Sequence, residues 1–238
     1  MHKHILTALN TGTFSLEGEF VHGANYSFLV QIQHQGEITR AVYKPEQGER
    51  PLWDFPDNTL AHREAAAYII SQSLGWELVP PTVYRNDGPY GPGSLQNFIP
   101  HDPNYHYFNL SEAHFQCMPP VILFDLLVNN ADRKGSHLLF DADDHLWLID
   151  HGLCFHVEDK LRTVIWDYAG EAVPPALLAD LQTLNGNLAP GSELVAALAA
   201  HLAPEEIAAL SARAESLQTL ENFPHPPNDR RAYPYPPL

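Results

Sequence analysis

Basic residues and cysteines are scarce in this chain of 238 residues. Thirteen Lys and Arg stand against 29 Asp and Glu, which gives a formal charge of −16 at pH 7. Such a surface repels phosphate backbones and anionic headgroups, so we expect no nucleic-acid partner and no membrane binding. We interpret the only cysteines, Cys117 and Cys154, as core thiols. Few cysteines are typical of a reducing compartment, which favours the cytoplasm.

Long apolar runs are also absent. The longest, 121–128, is interrupted by Asp125 and is far shorter than the roughly 20 residues of a membrane-spanning helix. No apolar stretch typical of a signal peptide follows the amino terminus. With 45% hydrophobic residues the chain can still bury a substantial core, so we expect one large domain or two packed lobes.

The patterning predicts a β-rich first part, residues 1–99. Alternating apolar and polar positions around Phe14, Phe28 and Ile38 predict three strands. Helical spacing over 59–74 predicts a helix that Asn58 or Thr59 can cap and that Gly75 ends. Two further strands are expected, at 79–84 and 93–99, with a turn at Asn86-Asp87-Gly88 between them.

The rest of the chain is predicted to be mainly helical, over residues 100–222. A connector, 100–110, leads to a buried helix at 121–129, a two-strand hairpin within 137–149, and three helices that start near Pro174, Ser192 and Pro204. The Pro-rich tail, 223–238, is expected to be extended and loosely held.

A turn of small residues, 19–28, joins the first two predicted strands. Backbone N–H groups in such a turn can face a phosphate, and Gly23, Asn25 and Ser27 are the candidate binding residues. An ordinary hairpin connection is the alternative, because glycine and asparagine favour turns in general.

Lys44 ends the otherwise apolar strand Ala41-Val42-Tyr43-Lys44 in a chain that has only four lysines. Its long cationic side chain can reach a polyphosphate, although a solvated lysine is the ordinary alternative. Glu64 lies among alanines on the predicted helix, where its carboxylate can pair with Lys44 and hold it in position. A surface helix residue is the alternative for Glu64.

Two aspartates follow apolar segments in the second part of the chain. Asp132 lies in the polar loop 129–137, between a helix and a strand, and such loops often contain functional residues. Asp150 ends an apolar strand just before Gly152, where its charge needs a partner such as a metal ion. Turn or cap roles are the alternatives for both aspartates.

These segments follow one another in the order found in protein kinases. Residues 13–170 resemble the atypical branch of that superfamily, the phosphatidylinositol 3- and 4-kinase-like and HipA-type proteins. The resemblance rests on Ala-Val-Tyr-Lys44, Asn-Ala-Asp132-Arg133 and Ile-Asp150-His-Gly. It implies an α+β, two-lobed protein-kinase-like fold with a β-rich N-terminal lobe and a mainly α-helical C-terminal lobe.

The resemblance also implies roles for the catalytic residues. Lys44 would contact the phosphates of ATP, and Glu64 would orient Lys44. Asp132 would accept the proton of the attacking hydroxyl or orient it, and Asp150 would hold Mg²⁺ or Mn²⁺.

The nucleotide-binding residues follow from the same resemblance. The turn that contains Gly23 would cover the phosphates, together with Asn25 and Ser27. The adenine would pack against the strand that links the lobes, at Gln96, Asn97 and Phe98.

Two positions depart from the pattern of the atypical families. Lys134 stands where a histidine is usual, and it can neutralise the transferred phosphoryl group. His137 replaces the metal-binding asparagine and becomes the candidate second ligand. A histidine suits Mn²⁺ better than Mg²⁺, unless Asn130 supplies an oxygen instead.

The sequence therefore predicts an ATP-dependent phosphotransferase whose acceptor is an unknown protein or small-molecule hydroxyl. The charge of −16 opposes a lipid acceptor. A local exception is the segment 160–163, which contains Lys160 and Arg162 and can meet an anionic group or be a solvated basic turn.

Two other functions stay open. A non-catalytic nucleotide-binding or scaffold protein would explain the changes at Lys134 and His137. A metal-dependent hydrolase has no paired metal-ligand spacing to support it. Its candidate ligands are His137, Asp141, Asp143, His145, Asp150, His151 and His156.

Overall fold

The computed structural model describes residues 2–20 and 25–238, so Gly23 of the predicted phosphate-facing turn lies outside the described residues. The first part of the chain forms a five-stranded antiparallel sheet in the order β1-β2-β3-β5-β4. The strands are β1 (Thr13–Glu19), β2 (Phe28–His34), β3 (Glu37–Pro45), β4 (Thr82–Gly88) and β5 (Gly91–Asn97). Two helices accompany the sheet, α1 (His2–Thr11) and α2 (Leu60–Leu74).

One face of the sheet packs against α1, a helix that the sequence patterning did not predict. Leu9 of this helix is completely buried against the alternating apolar side chains of β2, β3 and β5. These side chains are Val30, Ile32, Ala41, Tyr43 and Leu95. Because side chains of a strand alternate between its two faces, the neighbouring residues Val42 and Lys44 lie on the opposite face.

Helix α2 begins and ends for different reasons. Thr59 is the residue before the helix, but its side chain makes no capping hydrogen bond. The carboxylate of Glu49 accepts the backbone N–H groups of Leu60 and Ala61 instead, at 3.2 and 2.9 Å. Gly75 ends the helix in the left-handed conformation, with φ 69°, as predicted.

The second part of the chain is mainly helical. Its elements are α3 (Glu112–Phe115), α4 (Met118–Val128), β6 (Leu138–Phe140), β7 (Leu146–Leu148), α5 (Pro175–Asn187), α6 (Glu193–Leu198) and α7 (Pro204–Leu217). Helix α4 is apolar on nearly all sides and lies in the centre of the core, where α7 packs against it. The predicted hairpin and the three closing helices are confirmed. The structure is thus a two-lobed α+β fold.

Two sequence predictions about local structure were wrong. Cys117 is exposed, because it lies just before α4 rather than within the core, whereas Cys154 is buried as expected. Strand β4 starts at Thr82 and continues through Gly88, so the segment 86–88 belongs to a strand and not to the turn. The turn lies one step later, before Gly91, whose φ of 90° favours glycine.

The Pro-rich tail is not loosely held. Phe223 and Ala232 are buried, and the carbonyl of Ala232 accepts the backbone N–H of Thr163 at 3.1 Å. Near the end of the chain, the carbonyl of Pro237 accepts the N–H of Gly135 at 2.8 Å. Composition alone predicts an extended tail, but it does not show that free N–H groups of the second lobe bind it.

Among residues 2–20 and 25–238, no helix has the length and apolar character that crossing a bilayer requires.

Candidate active site

Lys44 lies where the two lobes meet. Its ammonium group donates a hydrogen bond to Glu64 of α2, and its Nζ is 3.1 Å from Oδ1 of Asp150 in the second lobe. The Lys44 side chain is 25% exposed and that of Asp150 is 49% exposed, so both are accessible from solvent. The structure therefore brings together three residues that are distant in the sequence. Glu64 is 20 positions after Lys44 (64 − 44), and Asp150 is 86 positions after Glu64 (150 − 64).

The charges of this group support one another. Burial opposes the charge on Lys44, but Asp150 and Glu64 together hold its pKa above the ordinary value. In turn, the Lys44 ammonium holds the pKa of Asp150 well below its usual range. Lys44 and Asp150 are therefore both charged at neutral pH.

The register of the sheet directs Lys44 into the cleft. Lys44 pairs with Ser94 of β5, and Val42 pairs with Gln96, so these four residues share one face. Leu29 of β2 pairs with Val42 and extends the same face. Leu29 and Val42 are partly buried apolar residues of this face that the sequence analysis missed, although alternation along β3 already placed Val42 beside Lys44.

Glu64 connects α2 to the Asp150 loop as well as to Lys44. Its side chain is only 3% exposed, and its Oε2 accepts the backbone N–H of His151 at 3.0 Å. Asp150 itself has φ 62°, a left-handed conformation that is uncommon outside glycine and is tolerated by aspartate. The loop thus turns sharply at Asp150, directly beside the Lys44 ammonium.

Asp132 lies on the second lobe with Lys134 beside it. The Nζ of Lys134 is 3.3 Å from Oδ2 of Asp132, and the two side chains are 21% and 26% exposed. The side-chain oxygen of Asn130 accepts the backbone N–H of Asp132 at 2.9 Å, which supports the loop. Burial and the charge of Asp150 raise the pKa of Asp132 to about 6, against the opposing effect of Lys134 and Arg162.

Arg133 is the completely buried anchor of the same loop. Its guanidinium forms an ion pair with Asp125 of α4, with Nε 2.9 Å from Oδ2. It also donates to the carbonyl of Ile149 at 2.9 Å and lies 2.8 Å from Nε2 of His151. One side chain therefore connects the Asp132 loop, the Asp150 loop and the central helix.

His137 contacts Asp150 rather than standing apart as an independent ligand. Its Nε2 is 3.3 Å from Oδ2 of Asp150, and its Nδ1 accepts the backbone N–H of Lys134 at 3.4 Å. Burial lowers the pKa of His137 to about 3, so the ring is neutral. Because Nδ1 accepts a hydrogen bond, the ring proton is on Nε2, which faces the Asp150 carboxylate. To bind a metal through Nε2, its proton would have to move to Nδ1.

The donor set fits a metal ion that is bound mostly by phosphate and water. No cluster of three or more His, Cys, Asp or Glu side chains suited to a metal exists in the described part of the chain. Mg²⁺ is commonly held by one or two carboxylates together with substrate phosphates, and Asp150 supplies an accessible carboxylate. Asp150 is the residue that would hold such an ion.

Other predicted nucleotide-binding residues have structural contacts. The side-chain oxygen of Asn25 accepts the backbone N–H of Arg50 at 2.9 Å. The backbone carbonyl of Ser27 accepts the backbone N–H of Phe20. Gln96 lies on the cleft face but donates to Thr82 Oγ1 at 2.9 Å. The remaining two, Asn97 and Phe98, lie at the end of β5, where the chain leaves the sheet.

An apolar cluster lies where this connection meets the hairpin of the second lobe. It consists of Ile99, Leu139 and Trp147, with Ile149 packed against them. Ile149 directly precedes Asp150, so the cluster begins beside the charged group. The sequence analysis missed this cluster, because it combines residues from two separate segments.

Of the residues of the hydrolase alternative, His137 and Asp150 are in contact, but in the described part of the chain no three of the set form a metal-binding group. Asp141 accepts the N–H groups of Asp143 and His145, and also the indole N–H of Trp147, so it stabilises the hairpin turn. His156 packs against Phe55 instead of joining a ligand set.

No model of a known protein family matches the chain. A curated relative, Protein Rv2133c of Mycobacterium tuberculosis, is 38% identical in an alignment of 263 positions. The alignment covers 96% of this chain and 93% of the relative. The chain belongs to the family of this mycobacterial protein. The name of the relative does not describe an activity.

Solved structures with a similar fold include proteins named as kinases. The Golgi casein kinase with Mn/ADP bound matches with a TM-score of 0.58 and 15% identity, over 100% of this chain and 80% of that one. The Helicobacter pylori proinflammatory kinase CtkA matches with a TM-score of 0.54 and 11% identity, over 90% of this chain and 94% of that one. Hydra Fam20 matches with a TM-score of 0.53 and 15% identity, over 90% of this chain and 86% of that one. At these identities the likeness shows a kinase-like fold.

Proposed function

We propose that this protein is an ATP-dependent phosphotransferase that moves the γ-phosphoryl group to a hydroxyl of a protein or small molecule. The observation that supports the proposal most strongly is the contact of Lys44 with both Glu64 and Asp150 at the junction of the lobes. A lysine held by a helix glutamate, beside an accessible aspartate, is the arrangement that positions ATP phosphates and their metal in kinases.

Each residue then has one task. Lys44 binds phosphate oxygens, and Glu64 keeps its ammonium in place. Asp150 would hold Mg²⁺ or Mn²⁺, which neutralises charge on the phosphates when bound. Asp132 orients the acceptor hydroxyl and takes its proton, while Lys134 lies 3.3 Å from Asp132 and can stabilise the transferred group.

Nucleotide titration of the Lys44→Met variant tests the proposal. We expect wild-type protein to bind MgATP or MnATP in calorimetry, and Lys44→Met to lose about 10- to 100-fold in affinity, because a charge-assisted hydrogen bond contributes about 1.5–3 kcal/mol. Lys3→Met, the same change on the exposed surface of α1, is the matched control and should bind normally.

Thermal unfolding should accompany the titration, because Lys44→Met leaves Glu64 without its ammonium partner. Affinities are compared below the unfolding range of the variant. Failure of wild-type protein to bind either metal complex, or normal affinity in Lys44→Met, would contradict the proposal.

The rate of transfer should depend on pH through Asp132. Its pKa is raised to about 6, and only the ionised carboxylate accepts a proton. We therefore expect kcat/KM to be constant above about pH 7 and to fall about tenfold per pH unit below pH 6. MgATP affinity should change little over the same range, because the pKa of Asp150 lies far lower. A rate independent of pH between 5 and 8 would remove Asp132 from the proton transfer.

A second function, nucleotide binding without transfer, is favoured by one contact. Nε2 of His137 lies 3.3 Å from Oδ2 of Asp150, at the position where an oxygen ligand is expected, so Asp150 is left as the one carboxylate for metals. Under this alternative, MgATP binds and Lys44→Met weakens binding, but no phosphate is transferred or released.

A further inference from the structure

Arg162 is held next to Asp132 by backbone pairing. The N–H of Arg162 donates to the carbonyl of Asn130 at 2.9 Å, and its carbonyl accepts the N–H of Arg133 at 3.0 Å. These two hydrogen bonds flank Asp132. Arg133 and Thr163 then form a parallel β-bridge, which aligns the segment 162–164 with the loop that contains Asp132.

The bridge also determines on which side Arg162 lies. Arg133 and Thr163 point into the core, where they are 0% and 3% exposed. Asp132, Lys134 and Arg162 are only partly buried, and the charges of Lys134 and Arg162 both act on the Asp132 carboxylate, so the three side chains lie together on the opposite, outer side. The outer side of the loop therefore combines one carboxylate with two cations, in a protein whose net charge is −16.

Arg162 differs from the other cations of this region because its guanidinium forms no ion pair in the described part of the chain, although its charge lowers the pKa of Asp132. Lys160 is paired with Glu158 and Asp54, at 3.1 and 3.6 Å. Arg230 is paired with Asp159 at 2.6 Å, and Lys134 with Asp132. Over residues 2–20 and 25–238, the Arg162 guanidinium has no side-chain hydrogen bond or ion pair.

The tail of the chain limits what can approach Arg162. The backbone N–H of Thr163 is bonded to Ala232, and that of Gly135 is bonded to Pro237. These groups flank Arg162 and Lys134, and the tail prevents them from pairing with an extended polypeptide. A small molecule needs no such pairing.

We propose that Arg162 binds an anionic group, phosphate or carboxylate, of a small-molecule acceptor whose hydroxyl faces Asp132. This inference rests on the proposed phosphotransferase function. The hydroxyl oxygen of the acceptor forms a bond to the γ-phosphorus of ATP, and its proton passes to Asp132. The bond between the γ-phosphorus and the bridging oxygen breaks, and ADP leaves.

Three probes with one carbon skeleton test the inference. Glycerol 3-phosphate, glycerate and neutral glycerol are titrated by calorimetry into the protein, both alone and saturated with MgADP. We expect at least one charged probe to bind at least tenfold more tightly than glycerol. Preference for the phosphate or the carboxylate then identifies the anionic group.

Variants assign the difference to Arg162. Arg162→Gln should lower the affinity for the charged probe about 10- to 100-fold and leave the affinities for glycerol and MgADP unchanged. Arg162→Lys should retain part of the affinity, because a lysine keeps the charge but not the forked donor geometry. Arg40→Gln, which removes an arginine paired with Glu17 on the sheet, is the matched control and should have no effect.

The outcomes separate this inference from the proposed function. Equal affinity for the three probes overturns the anion site even if MgATP binds. So does a charged probe that binds Arg162→Gln as tightly as it binds wild-type protein. Binding of a charged probe that depends on Arg162, in a protein that binds no nucleotide, supports the anion site and overturns the phosphotransferase.

Discussion

The Asp132→Asn variant should transfer phosphate about 10²- to 10⁴-fold more slowly than wild-type protein, while its affinity for MgATP stays within about twofold. The amide keeps the shape of the side chain but cannot accept the hydroxyl proton. Asp132 also lies beside Lys134 and not beside Lys44, so its loss should affect the chemical step rather than nucleotide binding. Single-turnover transfer and calorimetry measure the two effects separately.

The control for this variant is Asp143→Asn, which removes the same charge in the exposed turn of the β6–β7 hairpin. It should transfer phosphate at the wild-type rate. If Asp132→Asn and Asp143→Asn are equally active, Asp132 is not the catalytic base. If Asp132→Asn loses nucleotide affinity in parallel with the rate, its role is to hold the nucleotide complex.

The Arg133→Met variant should lose about 3–5 kcal/mol of unfolding free energy, the largest stability effect that we expect from a single change. Arg133 is completely buried, and its removal leaves the Asp125 carboxylate, only 1% exposed, without its ion pair. A buried charge left without its partner lowers the unfolding free energy far more than replacing both charges of the pair does. Denaturant unfolding measures the difference directly.

The double variant Asp125→Leu with Arg133→Met separates stability from function. It removes both charges, so much of the lost stability should return. Transfer activity should stay low, because Arg133 also donates to the Ile149 carbonyl and contacts His151 beside Asp150. A single-variant loss below about 1 kcal/mol, or full activity in the double variant, would show that Arg133 does not anchor the two loops.

Much of the fold followed from local patterns. The start of α7 at Pro204, the end of α2 before Gly75 and the hairpin after the Asp132 loop all match their predictions. Helix α1 was missed because its N-terminal residues are polar. The role of its apolar residues becomes recognisable only when they are seen packed against the sheet. The tail was misjudged for a similar reason, since its hydrogen bonds join it to a distant segment.

The candidate site shows the same division. Chain order and residue type were sufficient to select Lys44, Glu64, Asp132 and Asp150, and the structure places Lys44 against Glu64 and Asp150. The second metal ligand did not follow in the same way. The contact between His137 and Asp150 depends on the position of both side chains in the folded protein.

The sequence by itself determined which residue types occur in kinase-like order, because motifs of this kind are short and their spacing is a property of the chain. Only the tertiary structure decided which charges are used within the fold and which remain available. Arg133 and Lys134 are neighbours with the same charge, yet one is buried against Asp125 and the other faces Asp132. The parallel bridge between Arg133 and Thr163 makes that distinction, because it turns alternate side chains to opposite sides.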